Sequence, residues 1–390
     1  MQTRFRASDR RGARPSSIMP AGPLLVTFVV TFVGAALVSC GGDDDKSPAN
    51  PAPPPALSTY SATAVVADTA AAAPHADPNL VNGWGVAFNP TGFVWVANQG
   101  TSTSTLYDGR GNPQTLVVSV PAGAGGSAGP TGIVYNGTQD FRVSAGAASG
   151  VAAFIFAGTG GTLSGWSPAV DRTHAITTVD TAAAGIAAAS AYTGLTLSSY
   201  NGINYLYAAD FRNGRIDVYD PTWKKVTLPG GGFADSGLPT GYAPYGIQAV
   251  GSRIYVSYAQ RATSGPGVNR GTGLGIVDVF EPSGALVKRL ATGGVLNAPW
   301  GIAMAPSTFG SAAGKLLVGN FGDGKINVFD PDSGAVVGVL AKADKTPIAI
   351  DGLWGIAFGN GLNEQPLNTL FYAAGPANET HGAYGRIDLQ

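Results

Sequence analysis

The most informative segment of the chain is Ala298-Pro299-Trp300-Gly301-Ile302-Ala303-Met304, because the sequence repeats it. Close variants are Asn82-Gly83-Trp84-Gly85-Val86-Ala87-Phe88, Ala243-Pro244-Tyr245-Gly246-Ile247 and Gly352-Leu353-Trp354-Gly355-Ile356-Ala357-Phe358. Weaker copies are Gly129-Pro130-Thr131-Gly132-Ile133-Val134 and Ala191-Tyr192-Thr193-Gly194-Leu195. The central glycines of the six copies are 47, 62, 52, 55 and 54 residues apart. Repeats of about this length, each with several short strands, are the sequence signature of a β-propeller.

Each copy of the motif is followed by further strand-like segments. A second segment, such as Tyr205-Leu206-Tyr207-Ala208-Ala209-Asp210, is aromatic and β-branched and ends in small residues. A third, such as Arg215-Ile216-Asp217-Val218-Tyr219, alternates as a half-buried antiparallel strand does. Segments such as Leu286–Leu290 fit an outer fourth strand. We therefore predict an all-β fold over residues 58–390, a six-bladed propeller with four antiparallel strands in each blade.

The last repeat lacks its fourth strand, because the chain ends at Gln390 directly after the third. The apolar segment Tyr60–Val66 precedes the first repeat and has no blade of its own. We expect this N-terminal strand to pair with residues 386–389 and to close the ring. Closure of this kind removes an exposed strand edge, which would otherwise favour aggregation.

Residues 1–39 have the pattern of an export signal. A basic leader with five arginines precedes an apolar run from Leu24 to Leu37, which at about 14 residues is shorter than the roughly 20 of a membrane span. The run ends in Leu37-Val38-Ser39-Cys40-Gly41, which resembles the bacterial lipobox, in which the cysteine is lipidated. The alternative is an ordinary signal peptide. We predict a lipoprotein signal peptide at 1–39 and lipidation at Cys40, the single cysteine of the chain.

Residues 40–57 have the composition of a tether, since an acidic glycine-containing segment is followed by five closely spaced prolines. Such a segment would hold the propeller off a membrane surface. Gly41 follows the cysteine, and the absence of an aspartate there favours the outer membrane over retention in the inner one. We expect an exported protein of the bacterial cell envelope that contacts the membrane through its lipid anchor only.

The charge balance argues against nucleic acid as a partner. The chain has 23 basic and 24 acidic side chains. The predicted signal carries five of the arginines and Asp9, so the mature chain has 18 basic and 23 acidic side chains and a net charge near −5. Nucleic-acid binding needs a basic footprint. A small polar molecule or a protein partner is the expectation instead.

Repeated phrases of the chain resemble known repeat proteins. The succession of Pro-aromatic-Gly-Ile-Ala, Tyr-Val-Ala-Asn and Gly-Arg-Ile-x-Val-Tyr-Asp is similar to the NHL repeat. The span from about Tyr60 to Gln390 also resembles a family of exported bacterial propeller proteins of unknown function, in phrases such as Asp77–Asn82, Tyr207–Phe211, Leu317–Gly324 and His381-Gly382. The loop Ala157–Gly160 departs from this pattern, because it lacks an acidic residue after the second strand. The resemblance implies the propeller fold and brings no established activity.

Candidate binding residues follow from the topology of a propeller, in which starts of inner strands and ends of second strands lie at one mouth of the central channel. The aromatic, amide and charged side chains expected there are Trp84, Asn98, Asp210, Arg212, Tyr245, Gln260, Trp300, Asn320, Trp354, Asn378 and His381. Loops on a rigid scaffold commonly carry function. A mixed aromatic and amide lining suits sugars, peptides or other uncharged polar ligands. The alternatives are packing of the aromatics between blades and hydrogen bonding of Asn98, Asp210 and Asn320 within their own turns.

Two classes of function remain open from the sequence. The first is a binding or scaffolding module, and the second is a hydrolase or lyase of the lactonase kind with a channel site. An enzyme of this kind would use a channel metal or a histidine base. Asp210 and Glu379 are the channel acids, and His75, His174 and His381 are too scattered for a zinc motif. We expect no cofactor, with calcium or zinc as the alternative, and no catalytic residue can be assigned.

Overall fold

Six antiparallel sheets form a closed ring in the computed structural model, which describes residues 58–183, 189–265 and 267–390. The predicted signal peptide, Cys40 and the tether up to residue 57 lie outside the described residues. Within the described part of the chain, no helix is long and apolar enough to cross a membrane.

The strands are numbered along the chain and grouped into blades. The first strands are β1 (Tyr60–Ala67) and β2 (His75–Ala76). Blade 1 contains β3 (Gly83–Phe88), β4 (Val94–Asn98), β5 (Thr103–Tyr107) and β6 (Pro113–Ser119). Blade 2 contains β7 (Pro130–Tyr135), an inserted hairpin of β8 (Arg142–Ala145) and β9 (Ala148–Val151), and then β10 (Phe154–Gly158), β11 (Thr162–Trp166) and β12 (Ile176–Asp180). Blade 3 contains β13 (Tyr192–Tyr200), β14 (Ile203–Asp210), β15 (Arg215–Tyr219) and β16 (Lys225–Val226).

The second half of the ring has the same order. Blade 4 contains β17 (Tyr242–Val250), β18 (Arg253–Gln260), β19 (Ile276–Phe280) and β20 (Leu286–Thr292). Blade 5 contains β21 (Pro299–Met304), β22 (Leu316–Asn320), β23 (Ile326–Phe329) and β24 (Val336–Val339). Blade 6 contains β25 (Leu353–Phe358), β26 (Leu370–Ala374) and β27 (Ala383–Leu389), and β1 and β2 complete it. Six blades of four principal strands confirm the predicted fold; the hairpin β8–β9 was not predicted.

The N-terminal strand closes the ring as predicted. Strand β1 pairs antiparallel with β27, with Tyr60 opposite Leu389 and Thr63 opposite Arg386. The Tyr60 hydroxyl donates a hydrogen bond of 3.1 Å to the carbonyl oxygen of Phe309 in blade 5. The first strand is therefore held both by the last blade and by its neighbour.

The central glycine of each motif is explained by the approach of the next blade. A Cβ on Gly85 would lie 2.5 Å from the carbonyl oxygen of Thr131, and a Cβ on Gly301 would lie 2.5 Å from that of Trp354. Equivalent backbone contacts occur at every blade boundary, and we call the six residues the glycine ring: Gly85, Gly132, Gly194, Gly246, Gly301 and Gly355. At five of these positions a Cβ would lie 2.1–2.5 Å from the neighbouring blade and would push the blades apart, and at Gly194 it would fit tightly at 3.2 Å.

Side chains between the blades form the core. Between blades 1 and 2, for example, Trp95 stacks on Phe154 with centroids 4.1 Å apart and contacts Trp166. In the part of the chain that the structure describes, helical structure is confined to a 3₁₀ turn at Gly310–Ala312 and the short segment Pro376–Glu379. In the latter, Ala377, Asn378 and Glu379 all have positive φ, so the chain makes a left-handed turn there.

Candidate functional site

The strand register brings the predicted site residues to one end of the central channel. Gly83 pairs with Asn98, Tyr192 with Asp210 and Pro299 with Asn320, so inner strands begin where second strands end. We call this end the upper mouth. The inner strands and the second strands therefore share one end of the channel, as predicted, and the environment of each side chain decides what it can do.

The four predicted aromatics fill the channel at the upper mouth. Trp84 of blade 1 reaches Tyr245 of blade 4, directly across the ring, with centroids 6.3 Å apart. Trp84 also stacks on Trp354, and Trp354 stacks on Phe321 at 4.0 Å. Together with Phe211 these residues form a buried cluster, which we call the aromatic plug: Trp84, Phe211, Tyr245, Trp300, Phe321 and Trp354. The arrangement matches the packing alternative, since the rings contact one another rather than solvent.

Blades 2 and 3 make room for the plug. Their motifs carry Thr131 and Thr193 where the other four blades carry an aromatic ring. Each threonine hydroxyl donates to a carbonyl oxygen of the next blade, Thr131 to Tyr192 and Thr193 to Tyr245, at 2.9 and 2.8 Å. The small side chains leave the axis free for large rings from the opposite side. The indole N–H of Trp300 uses this gap and donates to the carbonyl oxygen of Thr193 at 2.8 Å.

The polar residues at the ends of second strands are buried and engaged locally. The Asn98 amide donates to Thr103 and Thr105, and the Asp210 carboxylate accepts from Ala191 N–H and the Asn213 side chain. Asn320 accepts from Asn297 N–H and donates to the carbonyl oxygen of Val295. All three side chains have no exposed area. These contacts are those of the alternative in which they hold their own turns, and a ligand role for them stays a prediction.

Other predicted residues at the upper mouth reach solvent. Arg212 is exposed and donates to the carbonyl oxygen of Ala189, and Asn378 is exposed on the left-handed turn. Gln260 is half-buried, and its Oε1 accepts a hydrogen bond from Asn269. These three side chains lie on different blades, and no contact joins them to one another.

Two charged residues cover the plug. The guanidinium of Arg270 lies 4.2 Å from the centroid of the Phe321 ring, in cation–π geometry. Its NH2 is 3.8 Å from Oε1 of Glu379, whose Oε2 accepts from the Asn82 amide at 3.0 Å. Burial, with Glu379 nearby, raises the pKa of Tyr245 well above its ordinary value. Arg270 was not among the predicted residues, because its loop lacks any repeated motif.

A histidine–carboxylate pair lies on this face, with the histidine half exposed to solvent. His381 Nδ1 lies 2.7 Å from Asp68 Oδ2, and the two side chains are 50% and 12% exposed. The other Asp68 oxygen accepts from the Gly382 N–H at 3.3 Å. The pair borders a pocket of about 360 Å³, which we call the His381 pocket: Ala67, Asp68, Thr69, Ala72, Pro376, His381, Gly382 and Ala383. His381 was predicted as a site residue, and Asp68 was missed.

The remaining histidines do not line this pocket. His174 is exposed and pairs with Asp171 at 3.3 Å, and His75 lies on the short outer strand β2 of blade 6. Among the described residues, no group of three or more histidine, cysteine, aspartate or glutamate side chains is placed to hold a metal ion.

The other end of the channel is open. The inner strands end around a cavity of about 470 Å³, whose wall contains residues from all six blades. Above it, at the glycine ring, the channel narrows to a void of about 30 Å³. We call the larger cavity the lower cup. Since the aromatic plug lies beyond the glycine ring, the channel is closed at the upper mouth and open at the cup.

Comparison with known proteins finds relatives without assigned functions. The chain is 33% identical over 337 residues to uncharacterized protein R648 of Acanthamoeba polyphaga mimivirus, covering 85% of this chain and 81% of that protein. It is 32% identical over 343 residues to uncharacterized protein L690 of the same virus, covering 85% and 86%. No protein-family model matches the chain. These relatives are viral, whereas the sequence resemblance pointed to bacteria, so a bacterial and exported origin stays a prediction.

Solved structures with a similar course of the chain include enzymes. A streptogramin B lyase aligns with a TM-score of 0.47 and 12% identity, over 86% of this chain and 98% of that one. A gluconolactonase from Xanthomonas campestris aligns with a TM-score of 0.47 and 13% identity, over 80% and 87%. Likeness at this level says nothing about activity.

Proposed function

We propose a binding function for this chain, which belongs to the same family as the uncharacterised mimivirus proteins R648 and L690. It is a propeller module whose His381 pocket takes a small, uncharged polar ligand. The observation that carries the proposal is the pairing of His381 with Asp68 beside an accessible pocket. The propeller supplies the rigid frame on which the pair is held.

The pairing fixes how the imidazole meets a ligand. The Asp68 carboxylate accepts a hydrogen bond from Nδ1–H of the neutral ring, which leaves the lone pair on Nε2. Half of the His381 side chain is exposed. Nε2 can therefore accept a hydrogen bond from a hydroxyl or amide N–H of a ligand, while Asp68 prevents the ring from turning over.

The rest of the pocket limits the kind of ligand. Ala67, Ala72, Pro376 and Ala383 give a small apolar wall, and Thr69 adds one hydroxyl. A volume of about 360 Å³ lies at the lower end of the range for small-molecule sites, roughly 300–1,000 Å³. Few polar groups on an apolar wall favour a compact molecule with one or two hydroxyl or amide groups, such as a monosaccharide or a small amide.

A second candidate function is supported by the same pair. A histidine oriented by a largely buried carboxylate is the geometry of a general base, which removes a proton from a bound substrate or water. This favours a hydrolase or lyase as the alternative. The two functions differ in outcome, because a binding module returns its ligand unchanged.

The location of the binding module is part of the proposal. Export, cleavage before Cys40 and lipidation of that cysteine would place the propeller on a bacterial membrane surface, and Gly41 favours the outer membrane. A ligand captured there would be extracytoplasmic. This rests on the sequence pattern of residues 1–57 alone.

The test is a ligand screen with two matched variants. We expect at least one of a panel of neutral monosaccharides and N-acetylated sugars to raise the melting temperature of the wild-type chain, and His381→Ala to lose that shift. His174→Ala is the control, because it removes a second exposed histidine that also pairs with an aspartate. An equal ligand-induced rise in melting temperature in all three proteins would show that the ligand does not bind in the His381 pocket. Chemical conversion of a bound sugar, detected by mass spectrometry, would favour the enzyme.

A further inference from the structure

The lower cup is a second concave site, on the opposite face from the His381 pocket. In five blades its wall consists of the last residues of the inner strand, such as Phe88, Tyr135, Met304 and Phe358, and in blade 3 it consists of Thr196 and Leu197 from the middle of β13. Each inner strand is the end strand of its sheet, so each turns one unpaired backbone edge towards the channel. The cup is thus lined by side chains and by strand edges from every blade.

The wall of the cup carries no charged side chain. Its seventeen residues include no lysine, arginine, aspartate, glutamate or histidine. Charged molecules would lose hydration in the cup without gaining an ion pair, which is unfavourable. The composition therefore selects against ions and charged metabolites and in favour of neutral molecules.

The otherwise apolar wall contains three polar side chains, and two of them have a hydrogen-bonding group that is not used within the described residues. The Thr196 hydroxyl accepts from the Ala249 N–H at 2.9 Å and joins blades 3 and 4. The Gln248 amide donates to the carbonyl oxygen of Ala249, which leaves Oε1 as an acceptor with no partner among the described residues. The Tyr135 hydroxyl makes no hydrogen bond within the described part of the chain either. One acceptor and one hydroxyl are therefore available to a bound molecule.

The floor of the cup keeps a ligand at this end of the channel. The void at the glycine ring, about 30 Å³, has room for a single water molecule. Beyond it the aromatic plug fills the axis. A molecule that enters the cup can leave only by the way it came, so the cup is a binding cavity and not a passage.

From these observations we infer that the lower cup binds a neutral, largely apolar small molecule with at least one hydrogen-bonding group. A volume of about 470 Å³ is in the range of small-molecule sites. The apolar surface of Phe88, Met304 and Phe358 supplies most of the affinity, and Gln248 and Tyr135 orient the polar group. This site is separate from the His381 pocket and does not depend on the function proposed for it.

The inference is tested with N-phenyl-1-naphthylamine, an uncharged apolar dye that fluoresces more strongly in apolar surroundings. The full-length chain is titrated, and every variant carries the same N-terminal segment, so binding to that segment cancels in the comparison. Gln248 is exposed on the wall, which allows a large side chain there without disturbing the core. We expect Gln248→Trp to fill the cup and weaken dye binding at least about tenfold.

Two controls make the result specific. Gln248→Ala removes the amide but keeps the cup open, so it should weaken dye binding less than Gln248→Trp does, and His381→Ala, on the other face, should bind the dye within about threefold of the wild type. If Gln248→Trp fails to fold, Ala357→Leu narrows the cup from the side of blade 6, and its dye affinity is compared with that of the wild type in the same way.

Several outcomes would overturn the inference. These are absence of dye binding to the wild-type chain, equal binding by the folded Gln248→Trp variant, and loss of binding in His381→Ala. Sedimentation without dye tests whether a second copy of the chain occupies the cup instead. Dimers of the wild-type chain that are absent in Gln248→Trp would show this and would overturn the small-molecule inference. A negative result in the dye experiment does not bear on ligand binding in the His381 pocket, because the sugar screen tests a site on the opposite face.

Discussion

The indole rings of Trp84 and Trp354 stack with their centroids 3.4 Å apart, and they belong to the first and the last blade. The boundary between these blades is where the ring of blades begins and ends. Strand β1 closes it at the rim and the stacked indoles close it at the axis. Stacked aromatic pairs contribute about 0.5–1.5 kcal/mol beyond their buried area.

The two stacked tryptophans should respond differently to loss of their indole N–H. Trp354 donates to Asn82 Oδ1 at 3.0 Å, whereas the buried Trp84 Nε1 has no hydrogen-bond partner among the described residues. Trp354→Phe leaves a buried acceptor unsatisfied, so we expect it to reduce the free energy of unfolding by about 1–2 kcal/mol more than Trp84→Phe. Urea denaturation followed by circular dichroism measures both. Equal losses, or a larger loss in Trp84→Phe, would contradict the hydrogen-bond pattern of the plug.

The glycine ring should not tolerate a methyl group. In Gly301→Ala the Cβ would meet the Trp354 carbonyl oxygen at 2.5 Å, and neither backbone can move without parting blades 5 and 6. We expect a loss of stability of about 1–3 kcal/mol, typical of overpacking. Gly267→Ala is the matched control, because its Cβ would meet nothing within 4 Å. Similar melting temperatures for the two variants would contradict the close approach of blade 6 to Gly301.

The stability of the chain should fall as the pH rises from about 5 to 8, through Asp278. This residue is fully buried in blade 4, and burial, with Asp235 nearby, raises its pKa to about 7. The folded chain binds the proton more tightly than the unfolded chain, where the pKa is about 3.9. The resulting stability is therefore present at low pH and lost as the pH rises through the folded pKa.

Asp278→Asn should remove this pH dependence. Relative to the variant, the wild type should lose roughly 2–3 kcal/mol of unfolding free energy between pH 5 and pH 8. Denaturant titrations of both proteins at the two pH values give the double difference. Blade 5 has Asn327 at the equivalent position of its third strand, so an amide is compatible with this site. Parallel profiles for the two proteins would show that Asp278 does not titrate in this range.

Lipidation should depend on Cys40, since only a thiol forms the thioether to the lipid. Expressed in a Gram-negative bacterium with a labelled fatty acid, the wild-type chain should carry label and sediment with membranes, and Cys40→Ser should do neither. Ser39→Ala keeps a small residue before the cysteine and should be labelled like the wild type. Label in Cys40→Ser would assign the modification elsewhere and would remove the proposed anchor.

The parts of the fold that repeat were predictable from sequence. The motif around Gly301 recurs with the spacing of a blade, and the missing last strand indicated that Tyr60–Val66 would close the ring. The inserted hairpin at 142–151 was not predictable in the same way, because it occurs once. A repeated motif predicts the strands that all blades share, but it cannot predict an insertion that occurs in a single blade.

The site was harder to predict, because it depends on where side chains point. Trp84 and Tyr245 occupy the same repeat position, and only the small Thr131 and Thr193 allow them to meet on the axis. Asp68 and His381 are 313 residues apart. The pair could have been predicted from the closure of the ring, since the end of β1 must lie beside the start of β27, and His381 comes just before β27. A search for polar residues just after Val66 would have found the pair.

Ring closure also determines when the molecule can be finished during synthesis. Gln390 donates a hydrogen bond from its side chain to Ser61, 329 residues earlier. Strand β1 therefore needs β27, which lies more than 300 residues later in the chain, and blade 6 can be completed only after the other five blades have been synthesised. Each of blades 1 to 5 is built from one continuous stretch of the chain, so none of them has to wait for blade 6. Until β27 is present, β1 lacks its antiparallel partner, and we expect this long-range pairing to be a slow step of folding.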